Sequence, residues 1–236
     1  MVRLSERLSL IAGYLPEETY FADIGSDHAY LPVYFCLNHP EAKALAGEVN
    51  EGPLNSAEKV IKEYDVHNRV EARKGDGLDV LEGRNVSEVV IAGMGGPLIA
   101  SILERGKDRL RDVRRLLLQP NIHSEIVRRW LEENGFALVD EKIIEENNHI
   151  YEILIADRGA PSSLYTKDCK ETELWLGPIL MKEKTEAFRK KWERQLKKNM
   201  EILHKLELAA DEQESKKKEI IKEIDILKEV LYHEND

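Results

Sequence analysis

Phe21-Ala22-Asp23-Ile24-Gly25-Ser26-Asp27-His28-Ala29-Tyr30-Leu31-Pro32 runs an apolar segment into an acidic residue and turns on one glycine. A second carboxylate and a histidine then stand at the mouth of a helix-compatible segment. A strand ending in such a turn is the opening of a doubly wound nucleotide-type site. A dinucleotide site asks for G-x-G-x-x-G there, because glycines let the backbone approach a pyrophosphate. This chain has Gly25, then Asp27 and Tyr30 where the other two glycines would stand. A carboxylate at 27 repels pyrophosphate and favours a cationic ligand. S-adenosylmethionine, which carries a sulfonium and an ammonium group, has that charge. The bland reading of the same residues is a strand-to-helix turn with a capping aspartate.

Working outward, Leu4, Leu8, Ile11 and Leu15 fall at helical spacing and predict a short amphipathic helix before a first strand over 20–23. The segment 30–38 continues as a helix, 42–49 reads as a second strand, and 53–64 as a helix with Leu54, Ala57 and Ile61 facing inward. A third strand over 70–73 is closed by Gly75-Asp76-Gly77, and a helical step follows at 78–81. The fourth strand, 88–92, leads into Gly93-Met94-Gly95-Gly96 and a helix opened by Pro97, a residue suited to a first helical turn. A fifth strand over 115–119 stops at Pro120-Asn121, and the helix 124–133 ends at Asn134-Gly135.

The rhythm then changes. Segments 137–144 and 150–156 are strands separated only by 145–149, a gap that suits a hairpin and is too short for a helical crossover. Five strand-helix units and an antiparallel pair predict an α/β domain with a mostly parallel seven-stranded sheet and one reversed strand at an edge. That is the layout of a class I, Rossmann-like methyltransferase; the same periodicity fits other doubly wound folds, and the turns have to decide between them.

In such a fold the strand ends face the ligand. Asp23, Gly25 and Asp27 come from the first turn. Glu48, with Val49 beside it, stands at the end of the second strand, near the offset at which an acidic residue holds ribose hydroxyls; an exposed strand-ending glutamate is the competing reading. Asp76 can accept the amino hydrogen of an adenine while Gly75 and Gly77 admit the ring. The glycines of Gly93-Met94-Gly95-Gly96 keep side chains away from something large at the end of the fourth strand, which makes Gly93, Met94 and Gly95 candidate cofactor contacts, and a flexible loop before a Pro-initiated helix is the competing reading. Arg7 is a candidate partner for the cofactor's carboxylate, because the rest of the pocket is acidic; its alternative is a solvated helix-surface arginine.

The net charge of −10 argues against a nucleic-acid binder until it is divided along the chain. Residues 181–236 hold 14 basic and 14 acidic side chains, which leaves 21 against 31 in residues 1–180 and assigns the acidity to the first part. Within 182–198, eight basic residues, among them Arg189, Lys190, Lys191, Arg194, Lys197 and Lys198, face only three acidic ones. A boundary near 158–163 divides the chain into domains 1–160 and 161–236. In the second, Phe188, Trp192, Leu196, Asn199, Leu203, Leu206 and Ala210, and then Ile220, Ile224, Leu227 and Leu231, step by threes and fours. Two helices reversing at 211–215 as an antiparallel coiled coil are expected. The basic cluster reads either as a solvated face or as a track for a nucleic-acid backbone.

No window is long and apolar enough for a membrane span, and the N-terminus lacks a secretion pattern, so the cytoplasm is expected. Cys36 and Cys169 stand far apart without a C-x-x-C partner, and the histidines are scattered, so no metal site is expected.

Several stretches together resemble the bacterial TrmK family of tRNA (adenine-22-N1)-methyltransferases. They are Leu4-Ser5-x-Arg7-Leu8-x-x-Ile11-Ala12, the opening stretch from Asp23 to Pro32, Gly47-Glu48-Val49-Asn50-x-Gly52-Pro53, Ala92-Gly93-Met94-Gly95-Gly96 and Gln119-Pro120-Asn121. The resemblance implies a class I domain using S-adenosylmethionine, a coiled-coil tail, and methylation of an adenine in the D-arm of tRNA. Adenine N1 carries a lone pair, so attack on a sulfonium methyl needs no prior deprotonation, and the protein is expected to contribute position and electrostatics. Asp27 and Asn121 are the candidate acceptors for the base's amino group. His28 can stack on the base or hydrogen-bond it, or simply start a helix. The basic tail would then lie along tRNA, with the protein a monomer or weak dimer. Two competing expectations are a small-molecule methyltransferase whose tail dimerises, and a non-catalytic tRNA-binding protein.

Overall fold

The computed structural model describes residues 2–159, 164–208 and 214–233. The chain divides into two compact units, Met1–Leu164 and Tyr165–Asp236. In the first unit the elements are α1 (Glu6–Ala12), β1 (Tyr20–Ile24), α2 (Tyr30–Asn38), β2 (Lys43–Glu48), α3 (Glu51–Glu63), β3 (Val70–Lys74), β4 (Glu88–Met94), α4 (Gly96–Arg105), β5 (Arg115–Pro120), α5 (Ser124–Glu133), β6 (Phe136–Glu146) and β7 (His149–Arg158). They build a seven-stranded sheet in the order β3-β2-β1-β4-β5-β7-β6, in which β1 to β5 are parallel. The apolar runs of β1, β4 and β5 are buried because both faces of a parallel sheet carry helices. From β1 the chain first builds outward through β2 and β3, then returns to β4 on the other side. This puts the topological switch, and the crevice that comes with it, between the carboxyl ends of β1 and β4.

The reversed strand is not at the edge. β7 runs antiparallel between β5 and β6, and β6 forms the edge. The burial patterns give the reason. Glu152 to Ala156 of β7 are buried without a break, as a strand covered on both faces must be, whereas β6 alternates and leaves Val139 exposed. A register shift between Leu138 and Asp140 changes the phase of that alternation. The hairpin loop is also shorter than five residues. Asn147 and Asn148 have φ of 51° and 65°, the two left-handed residues of a type I′ turn, so the strands extend to Glu146 and resume at His149.

α5 is tied to this hairpin by a buried ion cluster. Arg128 donates from Nε to Glu141 at 2.6 Å and from Nη2 to Glu152 at 2.7 Å, and all three side chains are inaccessible to water. Burial alone would depress the guanidinium's pKa, but the two carboxylates outweigh it and push the pKa up.

The second unit holds α6 (Lys170–Leu176), α7 (Leu180–Glu183), α8 (Glu186–Leu208) and α9 (Glu214–Tyr232). α8 and α9 lie antiparallel: Arg189 Nη1 donates to the Leu231 carbonyl and Asn199 Nδ2 to Glu223 Oε2. Phe188, Trp192, Leu196, Asn199 and Leu206 are buried along α8, and Ile224, Leu227 and Leu231 along α9. Leu203 and Ile220 are half-buried. Ala210, residues 211–213 of the expected reversal at 211–215 and residues 160–163 of the expected linker at 158–163 lie outside the described residues, while Glu214 and Ser215 already belong to α9. α6 and α7 did not show in the sequence, because seven and four residues are too few to display a helical period. Among the described residues no helix is long and apolar enough to cross a membrane, and no group of three or more His, Cys, Asp or Glu could hold a metal ion.

Candidate active site

The turn after β1 is tighter than a plain helix start. Gly25 has φ 70°, and Asp27, His28 and Ala29 follow at 43°, 75° and 58°. Three consecutive non-glycine residues in the left-handed region cost roughly 1 kcal/mol each and need outside support. Glu48 supplies part of it, since its Oε1 accepts the Asp27 N–H at 2.5 Å. Gly25 N donates to the Gly47 carbonyl, and Ala29 is fully buried. The acidic residue that ends β2 therefore shapes the turn that ends β1. The Asp27 carboxylate itself is 83% exposed, with His28 Nε2 at 3.4 Å, and the His28 ring stacks on Tyr30 at 5.4 Å between centroids.

Gly25 faces β4 across the switch point. A Cβ placed on it would lie 2.4 Å from Met94 Cε, so a side chain at 25 would have to push the methionine tip aside, and the φ of 70° adds strain for any residue but glycine. Gly96 is under a harder constraint, its would-be Cβ falling 2.0 Å from the backbone oxygen of His123. The glycine-rich stretch thus splits by role. Gly96 lets α4 meet the start of α5, while Gly93, Met94 and Gly95 stand at the end of β4, beside the switch point.

Around Gly93 lies a polar cluster. Gly93 N–H donates to Gln119 Oε1 at 3.0 Å, Gln119 Nε2 donates to Asn121 Oδ1 at 3.0 Å, and Asn121 Nδ2 donates to the Gly93 carbonyl at 2.8 Å. Arg7 Nη1 adds a second donor to Gln119 Oε1 at 3.0 Å. The Arg7 guanidinium also lies 3.8 Å from the Glu146 carboxylate and 4.8 Å from the centre of the Tyr151 ring. It is therefore a half-buried cation held beside Gly93 and not a solvated helix-surface arginine. Sequence reading did not single out Gln119 as a site residue. The available signal is a polar amide closing the apolar run Leu116-Leu117-Leu118, where only a hydrogen-bonded group can be buried.

The third-strand end is arranged differently from the expectation. Asp76 receives a two-pronged bond from Arg105 of α4, at 2.7 and 3.2 Å, and this hydrogen bonding holds its pKa below the usual carboxylate range. Any contact of Asp76 with an adenine amino group must share the carboxylate with Arg105. Gly75 and Gly77 flank it, Gly75 N donating to the Glu48 carbonyl, and Val49 is exposed beside Glu48.

Asp23 is buried and accepts Ser26 Oγ at 2.6 Å. Its pKa is pushed up to about 7, first by burial and then by the neighbouring Glu48 charge, against the Ser26 hydrogen bond. Glu48 is raised as well, again first by burial. A raised carboxyl pKa favours the protonated fold, so this contribution to stability is complete at acid pH and lost as pH rises through about 7. A cationic ligand prefers the carboxylate. Affinity for such a ligand is expected to rise from about pH 6 to about pH 8 with proton release, and Asp23→Asn to flatten the profile, as read by calorimetry in buffers of differing ionisation enthalpy.

On α8, at about 100° per residue, Lys190, Arg194 and Lys197 stand opposite the buried seam, and Lys191 and Lys198 lie to one side. Lys191 Nζ sits 4.6 Å over the Trp192 ring. Arg189 is turned the other way, onto the last carbonyls of α9.

Residues 21–229 match the family model for TrmK, tRNA (adenine(22)-N(1))-methyltransferase. The chain is 42% identical to the tRNA (adenine(22)-N(1))-methyltransferase of Bacillus subtilis over 98% of both chains. Its structure superposes on the crystal structure of Bacillus subtilis TrmK with a TM-score of 0.91 at 41% identity, covering 98% of this chain and all of that one. A Streptococcus pneumoniae structure in complex with S-adenosyl-L-methionine matches with a TM-score of 0.87 at 35% identity, over 98% of this chain and 100% of the other.

Proposed function

Since the chain belongs to the TrmK family of tRNA (adenine(22)-N(1))-methyltransferases, we propose that it transfers a methyl group from S-adenosylmethionine to N1 of adenine 22 in tRNA. The observation that carries the reading is the meeting of Gly25 and Met94 across the switch point, flanked by Asp23 and Glu48 on one side and Arg7 on the other. This donor set fits the cofactor. Glu48 Oε2 remains for ribose hydroxyls while Oε1 holds the Asp27 amide. The acidic β1 and β2 ends suit an ammonium and a sulfonium, and Arg7 suits a carboxylate. Asp76, beside Gly75 and Gly77, takes the adenine edge.

When bound, the cofactor supplies an electrophilic methyl group. The protein's residues have to bring the lone pair of adenine N1 into line with it and stabilise the positive charge the base acquires. Asp27, exposed at the turn, and Asn121, exposed at the end of β5, are the acceptors that receive the amino group as it becomes more acidic. His28 stacks with Tyr30 and offers the flat surface against which an unstacked base can rest. Incubating the protein with labelled S-adenosylmethionine and unmodified tRNA, then mapping the product by mass spectrometry, tests the reading. One methyl at N1 of adenine 22 is expected, and transfer to a small molecule alone would replace it.

The division of labour follows the two units, the first holding the cofactor and the second contacting tRNA. The enzyme works in the cytoplasm, where its substrate is. Lys190, Arg194 and Lys197, with Lys191 and Lys198, form the RNA-facing side of α8, and Arg189 supports it by holding α9. Replacing Lys190, Arg194 and Lys197 together by Glu is expected to weaken tRNA binding about tenfold or more, to lower the salt slope by about one unit per lost phosphate contact, and to leave cofactor affinity unchanged. Filter binding across a salt series reads both numbers.

A further inference from the structure

We propose that Gln119 is a positioning residue for methyl transfer, acting through Asn121; the inference rests on Asn121 contacting the target base. Gln119, Asn121 and the two backbone groups of Gly93 form a closed ring of hydrogen bonds. Gly93 N–H can only donate and Gly93 C=O can only accept. Gln119 must therefore turn its oxygen, and Asn121 its NH2 group, toward Gly93. The remaining pair, Gln119 Nε2 with Asn121 Oδ1, closes the ring in one sense only. Asn121 is further held by its own N–H on the Met94 carbonyl. The result is an exposed amide that cannot flip, with Oδ1 keeping a second lone pair for an outside donor.

That orientation decides chemistry. An adenine offering N1 for methylation presents its amino group as donor and N1 as acceptor. A carbonyl oxygen facing that edge binds the amino group and leaves the N1 lone pair alone. An amide turned the other way would place an N–H against N1 and tie up the electrons that must attack. Gln119 is fully buried, so its role is to hold the amide and not to touch substrate.

The isosteric Gln119→Glu separates this role from packing. Its carboxylate still accepts from Gly93 and Arg7 but sets a lone pair against Asn121 Oδ1, and turning the Asn121 amide over only moves the clash to the Gly93 carbonyl, so the ring no longer fixes one orientation. The single-turnover rate on tRNA is expected to fall about tenfold or more, with the cofactor Kd within about threefold of wild type. Gln119→Met, neutral and of similar size, serves if the charged variant does not fold. In a double-mutant cycle with Asn121→Ala, the double variant is expected to be no slower than Asn121→Ala alone, because Gln119 has nothing left to position. Losses that multiply, or a Gln119→Glu rate equal to wild type, would overturn the proposal while leaving the methyltransferase reading intact. Full activity of Asn121→Ala would remove the base contact and this inference with it. A wild-type protein that binds cofactor but does not methylate tRNA would sink the substrate assignment.

Discussion

Asp27→Ala is expected to slow methyl transfer by about 10²-fold or more while tRNA affinity stays within a few-fold of wild type. The side chain of Asp27 is exposed and lies against His28, so its removal leaves no buried gap. The bond that shapes the turn comes from the Asp27 backbone N–H to Glu48 and survives the change. What is lost is a carboxylate facing a base that turns cationic as the methyl arrives, an interaction strongest in the transition state. Part of the effect would come from the backbone, because φ is 43° at this position and alanine tolerates the left-handed region less well than Asp or Asn. Asp27→Asn separates the two. It keeps the turn preference and removes the charge, so the loss of rate it shares with Asp27→Ala belongs to the carboxylate and the remainder to the backbone. Single-turnover rates of both variants decide the matter, and wild-type turnover in Asp27→Ala would remove this residue from the chemistry.

Arg128→Met is expected to destabilise the first unit by about 3–5 kcal/mol, because it removes the buried cation that Glu141 and Glu152 share. Chemical denaturation should show the loss directly. Its pH dependence carries the diagnosis. A buried carboxylate without its cation takes up a proton in the folded state, so the variant should regain stability as the solution is acidified toward about pH 5 and lose it again as pH rises. A simple cavity would give no such slope. Replacing all three charged residues by well-packed apolar ones should recover much of the loss, since the cluster's desolvation cost disappears with its charges.

The sequence carried most of the fold because the sheet is built from continuous apolar runs separated by glycine and proline turns. The boundaries of α5 follow from Ser124 and Asn134, and Asp23, Glu48 and Gly93 stand at strand ends because topology puts strand ends at the ligand. The position of β7 was available in the unbroken run Ile153-Leu154-Ile155-Ala156 beside an alternating β6, but it requires a comparison of two strands and not the reading of one. Arg128 was not legible. An arginine followed by a second arginine on an amphipathic helix reads as solvated until a partner strand brings two glutamates to it. Asp76 stands where a ligand-facing acid belongs, yet its bond to Arg105 depends on how α4 leans, and no local pattern encodes that. The left-handed run at 27–29 contradicts the intrinsic preference of all three residues, and strain of that kind accumulates where a site demands a shape the chain would not take alone.

The pairing of Arg7 with Gln119, Glu146 and Tyr151 has a consequence for the order in which the site matures. Asp23, Glu48 and the turn between them come together from the first 48 residues, within one strand-helix-strand unit. Arg7 waits for partners 112 to 144 positions later in the chain, the last of them on the strand that is inserted between β5 and β6. During synthesis at about 5–20 residues per second, the acidic half of the cleft can therefore take shape many seconds before the cationic half. A nascent chain halted before β7 would show the first turn to a protease or a spectroscopic probe, yet have no anchored guanidinium to receive a carboxylate. Cofactor capture by stalled ribosomes should accordingly begin only once residue 158 has cleared the exit tunnel.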